Sequence, residues 1–222
     1  MRDLNQLILK FDYDQNFKDD DYYVSSSNKS VFDLLFSWPK WDKNFLNING
    51  EKFSGKTHLL NAFLKRFNGI KFEAKSFNNE NLKQIKIHEN IILENLDENV
   101  DEKLFYTLIN IIDQDNKYLI TTSFKSIVNL NFKLEDLKSR TKIFLMANID
   151  KPDDELMFAL VLKNLSDRQI SLDKKLINYI IKRIDRSYSK IFNFIYKIDE
   201  ISLKKKKSID LKIIKDALEE NN

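Results

Sequence analysis

The chain has 222 residues, of which 37 are Lys or Arg and 34 are Asp or Glu, for a formal net charge of +3; this near balance does not describe a protein held to nucleic acid by bulk charge. The absence of cysteine excludes disulfides, thiolate metal sites and cysteine nucleophiles together, and two histidines, His58 and His88, are too few for a multi-histidine mechanism. The length suits one substantial core with a small appended domain, and no apolar run approaches the ~18 residues of a membrane span, so a cytoplasmic protein without membrane contact is expected.

Residues 1–30 read as an irregular lead-in, with a short apolar patch at Leu7, Ile8, Leu9 and Phe11 followed by the polar runs Asp19-Asp20-Asp21 and Ser25-Ser26-Ser27. Val31, Leu34 and Leu35 have helical spacing over 30–37, and Trp38-Pro39 ends that helix. From Phe45 strands and helices alternate, the pattern of a parallel sheet covered on both faces. Strands are expected over 45–49, 70–74, 90–94 and 118–122, with 142–146 as the candidate for a fifth. Helices are expected over 57–67, where Leu59, Leu60, Phe63 and Leu64 share one side, and over 101–113. After Pro152 the alternation ends. Residues 155–164, 173–184, 188–201 and 210–219 carry apolar side chains at three and four spacing, and Asp173 is the expected cap of the second of these helices. Lys204-Lys205-Lys206-Lys207 reads as a solvated loop rather than a phosphate contact. The division expected is an amino-terminal peptide over 1–15, an α/β domain over 16–150 and a helical domain over 151–222.

Gly50-Glu51-Lys52-Phe53-Ser54-Gly55-Lys56-Thr57 matches the eight-residue phosphate-loop pattern, placed between a strand and a helix as that loop requires. Gly50 and Gly55 allow the N–H groups around Ser54 to turn inward as an anion nest, and the following helix directs its positive end at the phosphates. Lys56 is then the partner of the β and γ oxygens, and Thr57 offers its hydroxyl to Mg²⁺, so ADP or ATP with Mg²⁺ is the expected cofactor. Glu51 and Lys52 fall in the tolerant interior of the loop. Such a loop needs an acid at the end of a nearby buried strand, and Ile91-Ile92-Leu93-Glu94 supplies Glu94 as the second metal-side residue. Asn95 stands where a base or water-orienting carboxylate is usual, and an amide accepts no proton near neutral pH. Intrinsic hydrolysis is therefore expected to be slow unless Asp97 reaches the water.

Gly55-Lys56-Thr57-His58-Leu59-Leu60-Asn61-Ala62 resembles the GKTHLLHA stretch of the DnaA/Hda family, and the resemblance extends over nearly the whole chain, more closely to the short regulatory members than to the initiators. It implies an AAA+ P-loop NTPase fold: an α/β core with a parallel sheet and a small C-terminal all-helical lid domain. Glu94-Asn95-Leu96-Asp97 is similar to the family's Asp-Asn-Ile-Glu type of Walker B segment. Leu119-Ile120-Thr121-Thr122-Ser123 resembles the sensor 1 strand, with Ser123 where the family usually has Asp. Leu134-Glu135-Asp136-Leu137-Lys138-Ser139-Arg140 resembles box VII, which makes Arg140 an arginine finger acting in trans on a neighbour's nucleotide. In the sensor 2 segment, Asp185-Arg186-Ser187-Tyr188-Ser189-Lys190, Ser189 stands where the initiators have an arginine, and Lys190 is the substitute nucleotide contact. The chain stops just after the lid, so any DNA contact is expected to be indirect or weak.

Gln6-Leu7-Ile8-Leu9-Lys10-Phe11 resembles the sliding-clamp-binding peptide, in which Gln6 bonds at a rim while Leu9 and Phe11 fill an apolar pocket, with Leu7 a further clamp-binding residue. Burial of Leu9 and Phe11 offers roughly 1.5–3 kcal/mol each before ordering costs, enough for moderate binding by one peptide. The resemblance implies two partners, DnaA and the beta-subunit sliding clamp of DNA polymerase III, and leaves a homo-oligomer open. The function it implies is a nucleotide-bound adaptor that stimulates hydrolysis of DnaA-bound ATP and so restrains replication initiation. An autonomous DnaA-like ATPase or helicase loader is the alternative, and a scaffold that binds nucleotide only for stability is a third.

Overall fold

The computed structural model describes residues 22–219. Five strands, β1 (Phe45–Asn49), β2 (Gly69–Glu73), β3 (Asn90–Leu96), β4 (Tyr118–Ser123) and β5 (Leu145–Asn148), form one sheet in the order β2-β3-β4-β1-β5. Every pairing is parallel. Side chains alternate between faces along a strand. Phe45, Ile91, Leu93 and Leu119 accordingly enter one core, with α4 (Glu102–Gln114) and α5 (Glu135–Thr141) supplying Phe105, Leu108, Ile112 and Leu137. Leu46, Ile48, Ile92 and Ile120 enter the core on the other face, against α1 (Lys29–Phe36) and α2 (Lys56–Arg66), which contribute Val31, Leu35, Leu59, Leu60 and Phe63. Burial on both faces is why the interior strand β3 carries the unbroken apolar run Ile91-Ile92-Leu93.

The fifth strand lies later than its sequence suggests. Residues 142–144 wind off the end of α5, with Ile143 N donating to Arg140 O and Phe144 N to Thr141 O, and extended pairing starts only at Leu145. The apolar character of Phe144 is used in packing instead, its ring 5.2 Å from that of Phe45. A helix between β2 and β3, α3 (Asn79–Gln84), buries no residue and so leaves no apolar period; Asn78 and Asn81 cap its start reciprocally.

Four helices follow the sheet: α6 (Asp154–Asp167), α7 (Lys174–Ile181), α8 (Tyr188–Lys205) and α9 (Leu211–Glu219). Asp153, Asp173 and Ser187 cap the first three through their side-chain oxygens. These helices bury their own core, including Met157, Val161, Leu165, Ile177, Ile180, Phe194 and Ile195. The lysine run is partly helical: Lys204 and Lys205 close α8 and pair with Glu200 at 2.7 Å and Asp216 at 2.6 Å, and Lys206 leaves the helix in the left-handed region at φ 51°. Among the described residues no helix is long and apolar enough to cross a membrane.

Candidate functional site

The phosphate loop leaves β1 at Gly50 and enters α2 through Gly55, whose φ of 88° is one that side chains disfavour. A Cβ at Gly55 would also sit 3.1 Å from the Tyr22 ring, so a side chain there would be strained in backbone and would need that ring to shift by a few tenths of an ångström. Gly50 N donates to Ser123 O at 3.2 Å, which ties the loop's start to β4. Lys56 is folded onto the loop, its Nζ donating to Gly50 O (2.7 Å), Glu51 O (2.8 Å) and the buried Ser54 hydroxyl (3.3 Å). Burial lowers the Lys56 ammonium to about 8, against the opposing pull of the Glu51 and Glu94 carboxylates. Thr57, the next residue of α2, is half-buried.

Three consecutive loop residues reach the helical part. Glu51 caps α8: its carboxylate accepts from the Ser187 hydroxyl, from Tyr188 N at 3.1 Å and from Ser189 N at 3.2 Å. Burial opposes the charge there, but these hydrogen bonds outweigh it and hold the carboxyl below its ordinary range. Lys52 O accepts from the Ser189 hydroxyl at 3.3 Å. Phe53, itself left-handed at φ 67°, stacks on Phe192 with centroids 4.1 Å apart and planes 11° from parallel. Sequence reasoning passed over Glu51 and Phe53 because nothing local marks a partner 136 residues away.

Glu94 ends the unbroken buried run of β3, before exposed Asn95, with 2% of its side chain exposed, and its Oε2 lies 2.9 Å from the Lys71 ammonium. Lys71 also donates to Asn61 Oδ1 at 2.8 Å, while Glu94 Oε1 is buried with no hydrogen-bond partner among the described residues. Asn95 is exposed and left-handed at φ 57°, beside the break in register between β3 and β4. Its Nδ2 donates to both Glu73 oxygens, at 3.1 and 3.0 Å, and its backbone N to Thr122 Oγ1 at 3.0 Å. Among the described residues no three His, Cys, Asp or Glu side chains are grouped to hold a metal. The Mg²⁺ expected through Thr57 and Glu94 would meet a carboxylate already in contact with an ammonium, so Lys71 competes with a cation for that acid.

The remaining expected residues are engaged elsewhere. Ser123 points into the sheet, where its hydroxyl accepts from Asn47 Nδ2 at 3.0 Å; the hydroxyl facing the Asn95 segment belongs to Thr122, because adjacent strand residues face opposite ways. Lys190 is drawn outward to Asp185, 2.6 Å away, and that pairing holds the Asp185 carboxyl below its ordinary range. Arg140 lies on α5 with Nη1 3.2 Å from Asp113 Oδ2, and both side chains reach solvent. Gln6, Leu7, Leu9 and Phe11 lie outside the described residues.

Beside Gly55 a cavity of about 800 Å³ opens between the loop and α6, lined by Tyr22, Phe53, His58, Leu156, Leu160 and Tyr188 among others. Its largely apolar wall next to a phosphate nest suits a flat heterocyclic base attached to phosphates. A glycine-framed loop from a central parallel strand, the strand order 2-3-4-1-5 and a helical cover over the loop define a P-loop fold of the AAA+ class.

Comparison with known proteins gives the same assignment and narrows it. A family model described as "Hda, lid domain" matches residues 153–218. The chromosomal replication initiator protein DnaA of Thermoanaerobacter sp. (strain X514) is 26% identical over 228 residues, covering 90% of this chain and 51% of that protein. The chain therefore spans about half the length of such relatives. Domain III of the Thermotoga maritima replication initiation protein DnaA superposes with a TM-score of 0.74 at 17% identity, covering 95% of this chain and 98% of that one. AMPPCP-bound DnaA from Aquifex aeolicus gives 0.65 at 18% identity, covering 87% and 67%. The chain is thus similar to DnaA over most of its length, to Hda over residues 153–218, and to DnaA domain III in fold.

Proposed function

We propose that this protein is a nucleotide-bound adaptor that docks on the DNA polymerase sliding clamp through Gln6, Leu7, Leu9 and Phe11 and presents Arg140 to ATP held by DnaA, stimulating its hydrolysis and restraining initiation. The observation that carries the reading is the pairing of an intact phosphate loop with hydrolytic positions engaged in other contacts. Lys56, Ser54 and the Gly50 and Gly55 backbone remain grouped for phosphate, whereas Asn95 is bonded to Glu73 and Glu94 to Lys71. A loop that can bind ADP or ATP, beside residues poorly disposed to activate water, suits a nucleotide kept as a structural switch. Arg140 supports the trans role because, among the described residues, its side chain is held by an exposed ion pair with Asp113, and a phosphate can replace that carboxylate.

The test measures hydrolysis of ATP bound to DnaA in the presence of DNA-loaded clamp. Wild type should accelerate it, Arg140→Ala should lose most of the stimulation, and a Gln6→Ala/Leu9→Ala chain should lose the clamp-dependent part. No stimulation by wild type sinks the reading. Robust turnover of ATP by the isolated chain would favour an autonomous ATPase instead.

A further inference from the structure

We propose that Lys71 is a built-in counter-ion for the Glu94 carboxylate, and that the protein consequently holds adenine nucleotide with little dependence on divalent metal. This rests on the reading of residues 50–57 as a nucleotide site but not on any partner activity. β2 and β3 pair in parallel with Glu73 opposite Glu94 and Lys71 opposite Ile92, so Lys71, Glu73 and Glu94 share one face of the sheet. Two carboxylates side by side repel, and each has its own answer. Exposed Glu73 accepts twice from Asn95, and buried Glu94 takes the Lys71 ammonium at 2.9 Å.

Lys71 is held in place from two elements, since its Nζ also donates to Asn61 Oδ1 of α2 at 2.8 Å. A carboxylate with 2% exposure is costly to leave without a partner, and a fixed cation at contact distance supplies one. The same cation changes what the carboxylate can recruit. An unpaired acid beside a phosphate loop attracts a dication and its water shell, and its charge repels phosphate when the metal is removed. With Lys71 in contact, the pair is neutral: attraction for a dication is reduced, and repulsion of phosphate is reduced as well. Glu94 Oε1, buried and lacking a donor among the described residues, needs only a neutral donor such as one water to be satisfied.

The experiment titrates ADP and ATP into the full chain by calorimetry, in buffer with Mg²⁺ and in buffer with EDTA, for wild type, Lys71→Met and Lys71→Met/Glu94→Gln. Wild-type affinity should differ by less than about threefold between the two buffers. Lys71→Met should bind at least about tenfold more weakly in EDTA, a change of ~1.4 kcal/mol, and regain affinity with Mg²⁺. The double variant removes both charges and should return to metal-independent binding, which separates the charge effect from a folding defect. A wild type that loses about tenfold or more in EDTA overturns the inference, as does a Lys71→Met chain with the wild-type ratio. Absence of binding in both buffers overturns the nucleotide site itself and this inference with it. Failure of the DnaA hydrolysis assay alone leaves the calorimetric outcome decisive here.

Discussion

The carboxylate of Glu51 accepts a hydrogen bond from the Ser187 hydroxyl, joining the phosphate loop to the first residue before α8 across 136 positions of sequence. With Tyr188 N and Ser189 N on the same carboxylate, the loop supplies the anion that the helix's unsatisfied N–H groups need. Glu51→Ala should therefore free the first turn of α8 while sparing α2. Amide exchange at Tyr188 and Ser189 should rise about tenfold or more, with the amides of Leu59 to Phe63 unchanged. Unaltered exchange at Tyr188 and Ser189 would show that the lid helix does not depend on this carboxylate.

Acid should act on the same contact. The Glu51 carboxyl lies below its ordinary range in the folded protein, so its contribution is fully present above the unfolded carboxylate value and is lost as pH falls through the lower, folded one. Exchange at Tyr188 and Ser189 should rise in wild type below the usual carboxylate range and approach that of Glu51→Ala. A constant ratio between the two proteins down to strong acid contradicts the assignment.

Lys56 titrates at the other end of the scale. Its ammonium is lowered to about 8 by burial, so the cation is present below that pH and is lost above it. Nucleotide affinity should fall as pH rises beyond about 8, while Lys56→Arg, which stays charged, should show no such inflection whatever its absolute affinity. Folding stability moves oppositely: burying the charged form is unfavourable, so this group adds stability as pH rises from about 8 toward 10.5. A wild-type affinity flat across that range excludes Lys56 as the titrating contact.

Phe53 and Phe192 test how tightly the loop and lid are joined. Their parallel rings should give a coupling of roughly 0.5–1.5 kcal/mol in a double-mutant cycle with Phe53→Leu and Phe192→Leu, read from denaturant unfolding. Additive single effects would mean that the rings adjoin without stabilising one another.

Arg140→Ala should be almost silent in stability. Its ion pair with Asp113 is solvent-exposed on both sides, and such pairs contribute about 0–1 kcal/mol. A loss of several kcal/mol in thermal or denaturant unfolding would make Arg140 a structural residue and undercut the use of its alanine variant as a probe of partner activity.

Local chemistry was legible in the sequence wherever neighbours along the chain create the feature. The phosphate loop needs its glycines, lysine and threonine within eight residues, and the apolar strands announce a sheet buried on both faces. Asp173 caps α7 from its own sequence position. Residues 142–146 misled because an apolar run serves equally as a strand or as a helix end packing on the sheet, and Phe144 chose the second. Contacts around the candidate site were legible when the motif was contiguous and hidden when a partner arrived from elsewhere. Lys71 reads as an ordinary charged strand residue until β3 lies beside it, and Glu51 as filler until α8 is folded over it. Lys190 and Ser123 were placed by position alone, and position does not reveal that Asp185 and Asn47 engage them.

Asn47 lies at the centre of β1, fully buried, three residues before the phosphate loop. Its amide donates to Thr121 Oγ1 and Ser123 Oγ, each at 3.0 Å, and its carbonyl oxygen accepts from Ile127 N at 3.0 Å. Ile127 belongs to the connection that leads from β4 to the helix bearing Arg140. One side chain thus serves as a shared datum for the strand that sets the chain's own phosphate loop and for the segment that aims its outward arginine. The strand that leads into the phosphate loop and the connection that leads to the Arg140 helix are moored to one another by bonds that water does not reach.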